Sequence, residues 1–119
     1  MTERRPHWVY DHGDEPDPRF SLANERTFLA WIRTSLAIIA GAVALHSLGL
    51  PGSSAVRDVL IVVLVGLGAT TTAVAYLRWA RVERAMRLRE PLPAFGLGLL
   101  MTGSIVVVAV VLAVVLLVD

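Results

Sequence analysis

The chain has 119 residues, 55% of them hydrophobic and 18% charged, and a net charge of +1. Its charges are gathered into blocks, and the apolar runs between them take more than half of the length, which excludes a separate soluble catalytic domain. With no cysteine, disulfides and thiolate chemistry are excluded as well.

The apolar runs are Phe28–Leu50, broken only by Arg33 and His46, then Val59–Leu77 and Ala94–Val118, both without charge. A helix needs ~20 residues to cross the hydrocarbon of a bilayer. The pattern therefore predicts an all-α, membrane-embedded bundle of three transmembrane helices. All eleven basic residues are arginine. A guanidinium is always charged and forks onto carboxylate or phosphate, although a GC-rich genome would give the same count.

In chain order, residues 1–18, "MTERRPHWVYDHGDEPDP", mix acids and prolines with no helical period and predict a mobile or surface-lying cytoplasmic tail. Residues 19–119 form the transmembrane domain. The first apolar run is too long, and too far from the start, for a cleaved signal peptide. Ser21 is the expected N-cap of a first helix over about 21–48, and Glu25 suits its positive end. "GLPGSS" stops that helix. The second helix spans about 55–88 and carries "RWARVERAMRLRE" beyond the apolar run. "EPLP" is the next turn, and a valine-rich third helix fills 94–118.

Arginine asymmetry sets an orientation. The second loop region holds Arg78, Arg81, Arg84, Arg87 and Arg89, the first only Arg57, and the N-terminal side Arg4, Arg5, Arg19 and Arg26. The positive-inside rule puts the N-terminus and second loop in the cytoplasm and the C-terminus outside. Trp31, Tyr76 and Trp79 fall at the same boundary, where aromatic belts sit.

Arg19, Arg26 and Arg33 recur every seven residues. Seven residues is almost two turns, so Arg26 and Arg33 lie within about 20° of one another around the helix axis. Arg33 either snorkels to the headgroups or faces a protein interior or aqueous path, the default reading of an intramembrane charge. The row lies on the same membrane side as Arg78, Arg81 and Arg84, and the two sets together read as a polyanion entrance. Asn24 is expected to hydrogen-bond the backbone or a neighbouring helix, and Glu25 to pair with a neighbouring helix. Glu83 is expected to pair with the arginines around it. Gly66, Gly68 and Thr70–Thr72, with Ala37, Gly41 and Gly96 to Gly103, have helix-packing spacing. His46 reads as an interface residue. His7, Asp11, His12 and Asp14 have no scaffold to hold a metal. No nucleophile–base set or paired carboxylates occur, so no enzyme, cofactor or nucleic-acid partner is expected.

"LANERTFLAWIRTSLAIIAGAVAL" resembles the signature of the YidH-type domain of unknown function 202, small three-helix bacterial inner-membrane proteins. The likeness is strong from Arg19 to Leu45 and looser in "RWARVERAMRLREPLP". The same domain forms the membrane part of the eukaryotic vacuolar transporter chaperone complex, which makes polyphosphate and passes it across a membrane. The resemblance implies several copies around a pore lined by basic residues of the first helix. Arg26 matches a family pore arginine, and Arg19 stands where that complex has a basic residue. The arginines after the second helix correspond to a further basic cluster. "PLPAFGLG" lacks the arginine that eukaryotic members keep there, and Arg33 is typical of the bacterial branch. The 119 residues hold no phosphate-sensing or polymerase domain, so polymer synthesis is not implied. The resulting expectation is a homo-oligomeric anion or polyphosphate conduit lined by Arg19, Arg26, Arg33, Arg78, Arg81 and Arg84. The alternative is a non-conducting scaffold whose arginines hold anionic lipid or an acidic partner.

Overall fold

The computed structural model describes residues 4–94 and 96–118. Its helices are α1 (His7–Tyr10), α2 (Pro18–Leu48), α3 (Ser54–Leu88) and α4 (Gly96–Val118), with no strand among the described residues. The last three are the expected membrane helices, each long and apolar enough to cross a membrane. At 1.5 Å per residue α2 and α3 run about 46 and 52 Å, well past a ~30 Å hydrocarbon core. Both therefore project beyond it, and the molecule is 58 Å along its longest axis.

The start of α2 differs from expectation. Its N-cap is Asp17, whose carboxylate accepts the Arg19 backbone N–H at 2.9 Å, and not Ser21. Pro18 follows at the first helical position, where a missing N–H leaves nothing unsatisfied. Ser21, released from capping, instead donates its hydroxyl to Glu83 Oε2 on α3 at 2.7 Å. The far end of α2 closes on Gly49 in the left-handed region, with Leu50 N–H donating to Leu45 O. The α3 terminus repeats this pattern at Arg89, with Glu90 N–H donating to Ala85 O. The third membrane helix begins at Gly96 rather than 94, Phe95 lying outside the described residues.

Among the described residues α3 is the hub: α1, α2 and α4 each pack on it, and α2 and α4 do not touch one another. The antiparallel α2–α3 pair is the body of the fold. Its closest approach is at Gly68, where an added Cβ would stand 2.6 Å from Ile39 Cγ1 and 3.2 Å from the Ser35 carbonyl. Gly41, Gly66, Gly96 and Gly103 have open space instead, while Gly98 is buried in α4. The α4 helix leans on α3 only near its start, through buried Leu97, Gly98 and Met101.

Residues 4–17 pack on α3. They fold as a strap over the polar end of α3, with Val9 fully buried. The cause is Arg87, whose side chain is 6% exposed. Its guanidinium donates to the carbonyls of His12 (2.8 Å) and Tyr10 (2.9 Å) and to Glu15 Oε2 (3.2 Å). In return the Arg87 carbonyl accepts from Asp14 N–H at 2.9 Å. Gly13 is required there: its φ is +64°, and a Cβ would lie 2.1 Å from that carbonyl oxygen.

Candidate functional site

The arginines separate into paired and unpaired sets. Arg4 and Arg87 share Glu15, and Arg19 holds Asp17 at 2.9 Å. Arg57 donates to the Pro51 carbonyl at 3.2 Å. Hydrogen bonds from Arg4, and then from Arg87, hold the Glu15 carboxyl down at about 2. Arg26, Arg33, Arg78, Arg81 and Arg84 have no hydrogen-bond or ion-pair partner among the described residues. In low-dielectric surroundings an unpaired guanidinium is costly, and Arg26, Arg33 and Arg81 are exposed while Arg78 and Arg84 are half-buried.

Arg26 and Arg33 lie on the side of α2 that faces away from α3. The packing face is fixed by buried Asn24, Ser35 and Ala42. Arg26 is two residues after Asn24 and Arg33 two before Ser35, a rotation of about 160–200° from that face. Both are exposed. Beside them Leu29, Leu36 and Val43 are all more than half exposed, and the exposed Glu25 lies in line with Val43.

Cross-helix contacts fix the depth of Arg33. Asn24 Nδ2 donates to the Trp79 carbonyl at 3.0 Å, and Ser35 sits against Gly68. Arg33 is therefore level with about residue 70, inside the charge-free Val59–Leu77 segment of α3. That is seven residues from Leu77, a depth of about 10 Å at 1.5 Å per residue. The same contacts make Asn24 the interhelical hydrogen-bonder that was expected.

Three expected site residues stand differently. Arg19 is at the mouth, but it is bonded to Asp17 with its side chain 85% exposed. Glu25 makes no ion pair among the described residues; it is exposed and lines a cavity of about 270 Å³ with Phe28, Leu29, Tyr76 and Trp79. Glu83 is buried and bonds to Ser21, with no arginine partner. For Glu83 the cause is packing: Ser21 of α2 reaches its carboxylate in place of the arginines beside it.

Arg78, Arg81 and Arg84 do not converge with Arg26 and Arg33 within one chain. They stand at the elbow between α3 and α4. Arg78 and Arg81 line a cavity of about 320 Å³ with Val74, Leu77, Pro93 and Leu97. Arg81 also lines an adjoining cavity of about 380 Å³ with Trp8, Arg84 and Glu90, and the Nε of Arg84 is enclosed without a partner. No cluster of metal-ligating side chains occurs among the described residues.

The Glu15–Arg87 clasp escaped sequence reading, because its members are 72 positions apart. The one available signal was the lone glycine in the tail, Gly13, which marks a backbone approach.

Comparison with known proteins places this arrangement. Residues 19–85 match the family model described as "Domain of unknown function (DUF202)". That segment contains both unpaired arginine sets and ends before the α3–α4 turn. The inner membrane protein YidH of Escherichia coli (strain K12) is 45% identical over 100 residues, covering 83% of this chain and 87% of that protein. The Mycobacterium tuberculosis (strain H37Rv) protein Rv2272 is 50% identical over 106 residues, covering 85% and 84%. No solved structure matches the chain significantly. With the family model spanning more than half of its length and relatives aligned over most of theirs, the chain belongs to the DUF202 family.

Proposed function

We propose that the protein is a subunit of a homo-oligomeric conduit for anions or polyanions in a bacterial inner membrane. Copies of α2 face a shared axis, and Arg26 and Arg33 from each copy form successive guanidinium rings. The carrying observation is Arg33: exposed, unpaired and about 10 Å inside the charge-free level of α3, on a face no other helix of the chain covers. Facing lipid, such a group costs ~2.5–3.5 kcal/mol on insertion scales; facing an aqueous axis, it becomes an anion-selective ring. Polyphosphate is the polyanion this reading favours, since a guanidinium forks onto phosphate oxygens. The role is passage, not catalysis.

The test is flux of inorganic phosphate and polyphosphate in proteoliposomes. Arg26→Ala and Arg33→Ala should each lower flux at least tenfold while the assembly survives. Arg26→Lys should keep charge but lose the fork, giving an intermediate loss. Arg89→Ala, at the exposed end of α3, is the control and should change little. If wild type carries no flux and Arg26→Ala dissolves the assembly, the non-conducting scaffold replaces the conduit.

The proposed orientation has the N-terminus and the α3–α4 turn in the cytoplasm. The arginine count near those segments supports it. Reporter fusions should find Gly52 outside and Glu90 inside; the reverse would move the arginine mouth to the other face.

A further inference from the structure

Two cavities lie between α3 and α4, a polar one at Arg78 and Arg81 and an apolar one further along both helices. On α3 the lining residues Val63, Leu67, Val74, Arg78 and Arg81 are spaced by 4, 7, 4 and 3. With Leu77, which also lines the polar cavity, they occupy a stripe about 100° wide at 100° per residue, so the polar cavity and the deeper apolar one lie on the same side of α3. The deeper cavity, about 440 Å³, is closed on the α4 side by Leu100, Gly103 and Val107. Taken together, the two cavities form an amphipathic groove, guanidinium at one end and aliphatic at the other. From Arg78 down to Val63 is fifteen residues, about 22 Å at 1.5 Å each, which stays within the ~30 Å hydrocarbon thickness.

We propose that this groove is a binding site for one anionic phospholipid. Its phosphate sits between Arg78 and Arg81, with Arg84 in the adjoining cavity as the third donor, and one acyl chain lies along Val74, Leu67 and Leu100 to Gly103. Three features fix this occupant. Arg78, Arg81 and Arg84 lack any acidic partner among the described residues, and Arg84 Nε is enclosed and unsatisfied. The apolar lining from Val74 to Val63 is long enough to hold an extended acyl chain. A free phosphate or a polyphosphate would leave the aliphatic floor unfilled, and an uncharged lipid would leave the arginines unpaired. Glu90, beside Arg81 and Arg84, trims the local charge but leaves it positive. The site is separate from Arg26 and Arg33 and does not depend on the conduit.

The test uses the full chain in detergent, titrated with dioleoyl phosphatidylglycerol, dioleoyl phosphatidylcholine, glycerol 3-phosphate or inorganic polyphosphate, and read by native mass spectrometry. Phosphatidylglycerol should be retained at least tenfold better than phosphatidylcholine or glycerol 3-phosphate. Arg78→Gln with Arg81→Gln should remove that preference, a tenfold loss being the scale of one charge-assisted contact. Gly103→Leu leaves every charge in place and projects into open space, since nothing lies within 4 Å of a Cβ there. It should lower retention of the dioleoyl lipid without changing glycerol 3-phosphate binding. Arg26→Ala should leave retention unchanged. Equal retention of glycerol 3-phosphate and the diacyl lipid would overturn the proposal in favour of a bare anion site. Retention that vanishes only when the oligomer forms would overturn it in favour of a second copy's helix in the groove.

Discussion

At the scale of single residues, Glu15 is where the electrostatics can be read most directly. Arg4 first, and then Arg87, bond to its carboxylate and hold it at about 2, well under its usual 4.5. A depressed carboxylate adds stability that is complete above its unfolded value and is lost as the pH falls toward the folded one. The strap should therefore stay docked at neutral pH and loosen between about pH 4.5 and 2. Trp8 rides on that strap and reports it through its emission. Glu15→Gln should remove the acid transition and leave the strap weaker at every pH; an unchanged transition would place its cause elsewhere. Because Glu15 is more than half exposed, salt should weaken the pairing too. None of this was legible in the sequence. A tail of acids and prolines has no period, and the arginine that organises it lies beyond two membrane crossings.

Among the helices, legibility followed the physics of each signal. Length and apolarity made the three membrane helices plain, since a bilayer leaves a backbone few other options. Their ends were less so: Asp17 and Ser21 are both good caps, and Pro18 decided between them by fitting only the first helical position. Packing was harder still. Gly41, Gly66 and Gly68 looked alike by spacing, yet of these three Gly68 alone meets a neighbour, because a stripe of small residues does not say which partner arrives. Gly68→Val should thus force Ile39 and the Ser35 backbone apart and cost about 1–3 kcal/mol, the usual range for overpacking. Gly66→Val, two residues away in open space, should cost far less. Thermal unfolding in detergent compares the two directly, and equal losses would mean that helix propensity, not the α2–α3 contact, sets the effect.

For the whole molecule, the distribution of burial says more than any single contact. The α2–α3 pair has a defined interior, while α4 buries only its first turns and the outer face of α2 sets two unpaired arginines and Glu25 among exposed apolar residues. Sequence reading recovered the arginine row and its heptad spacing. Within one chain Arg78, Arg81 and Arg84 stand at the α3–α4 elbow, a position that helix order alone does not give. In a bilayer, hydrophobicity drives no helix association, so copies meet through close packing and the relief of buried polar groups. The α2 outer face offers both: Ala37 stands one turn beyond Arg33 and is exposed. The native chain has no cysteine, which makes the consequence simple to test. Ala37→Cys should cross-link copies in native-like bilayers under mild oxidation, giving a ladder beyond the dimer if α2 lines a closed ring. Val62→Cys, 70% exposed on α3, should stay monomeric under the same oxidation. A ladder from Val62→Cys and none from Ala37→Cys would turn the assembly around, with Arg33 left to lipid and the conduit without its rings.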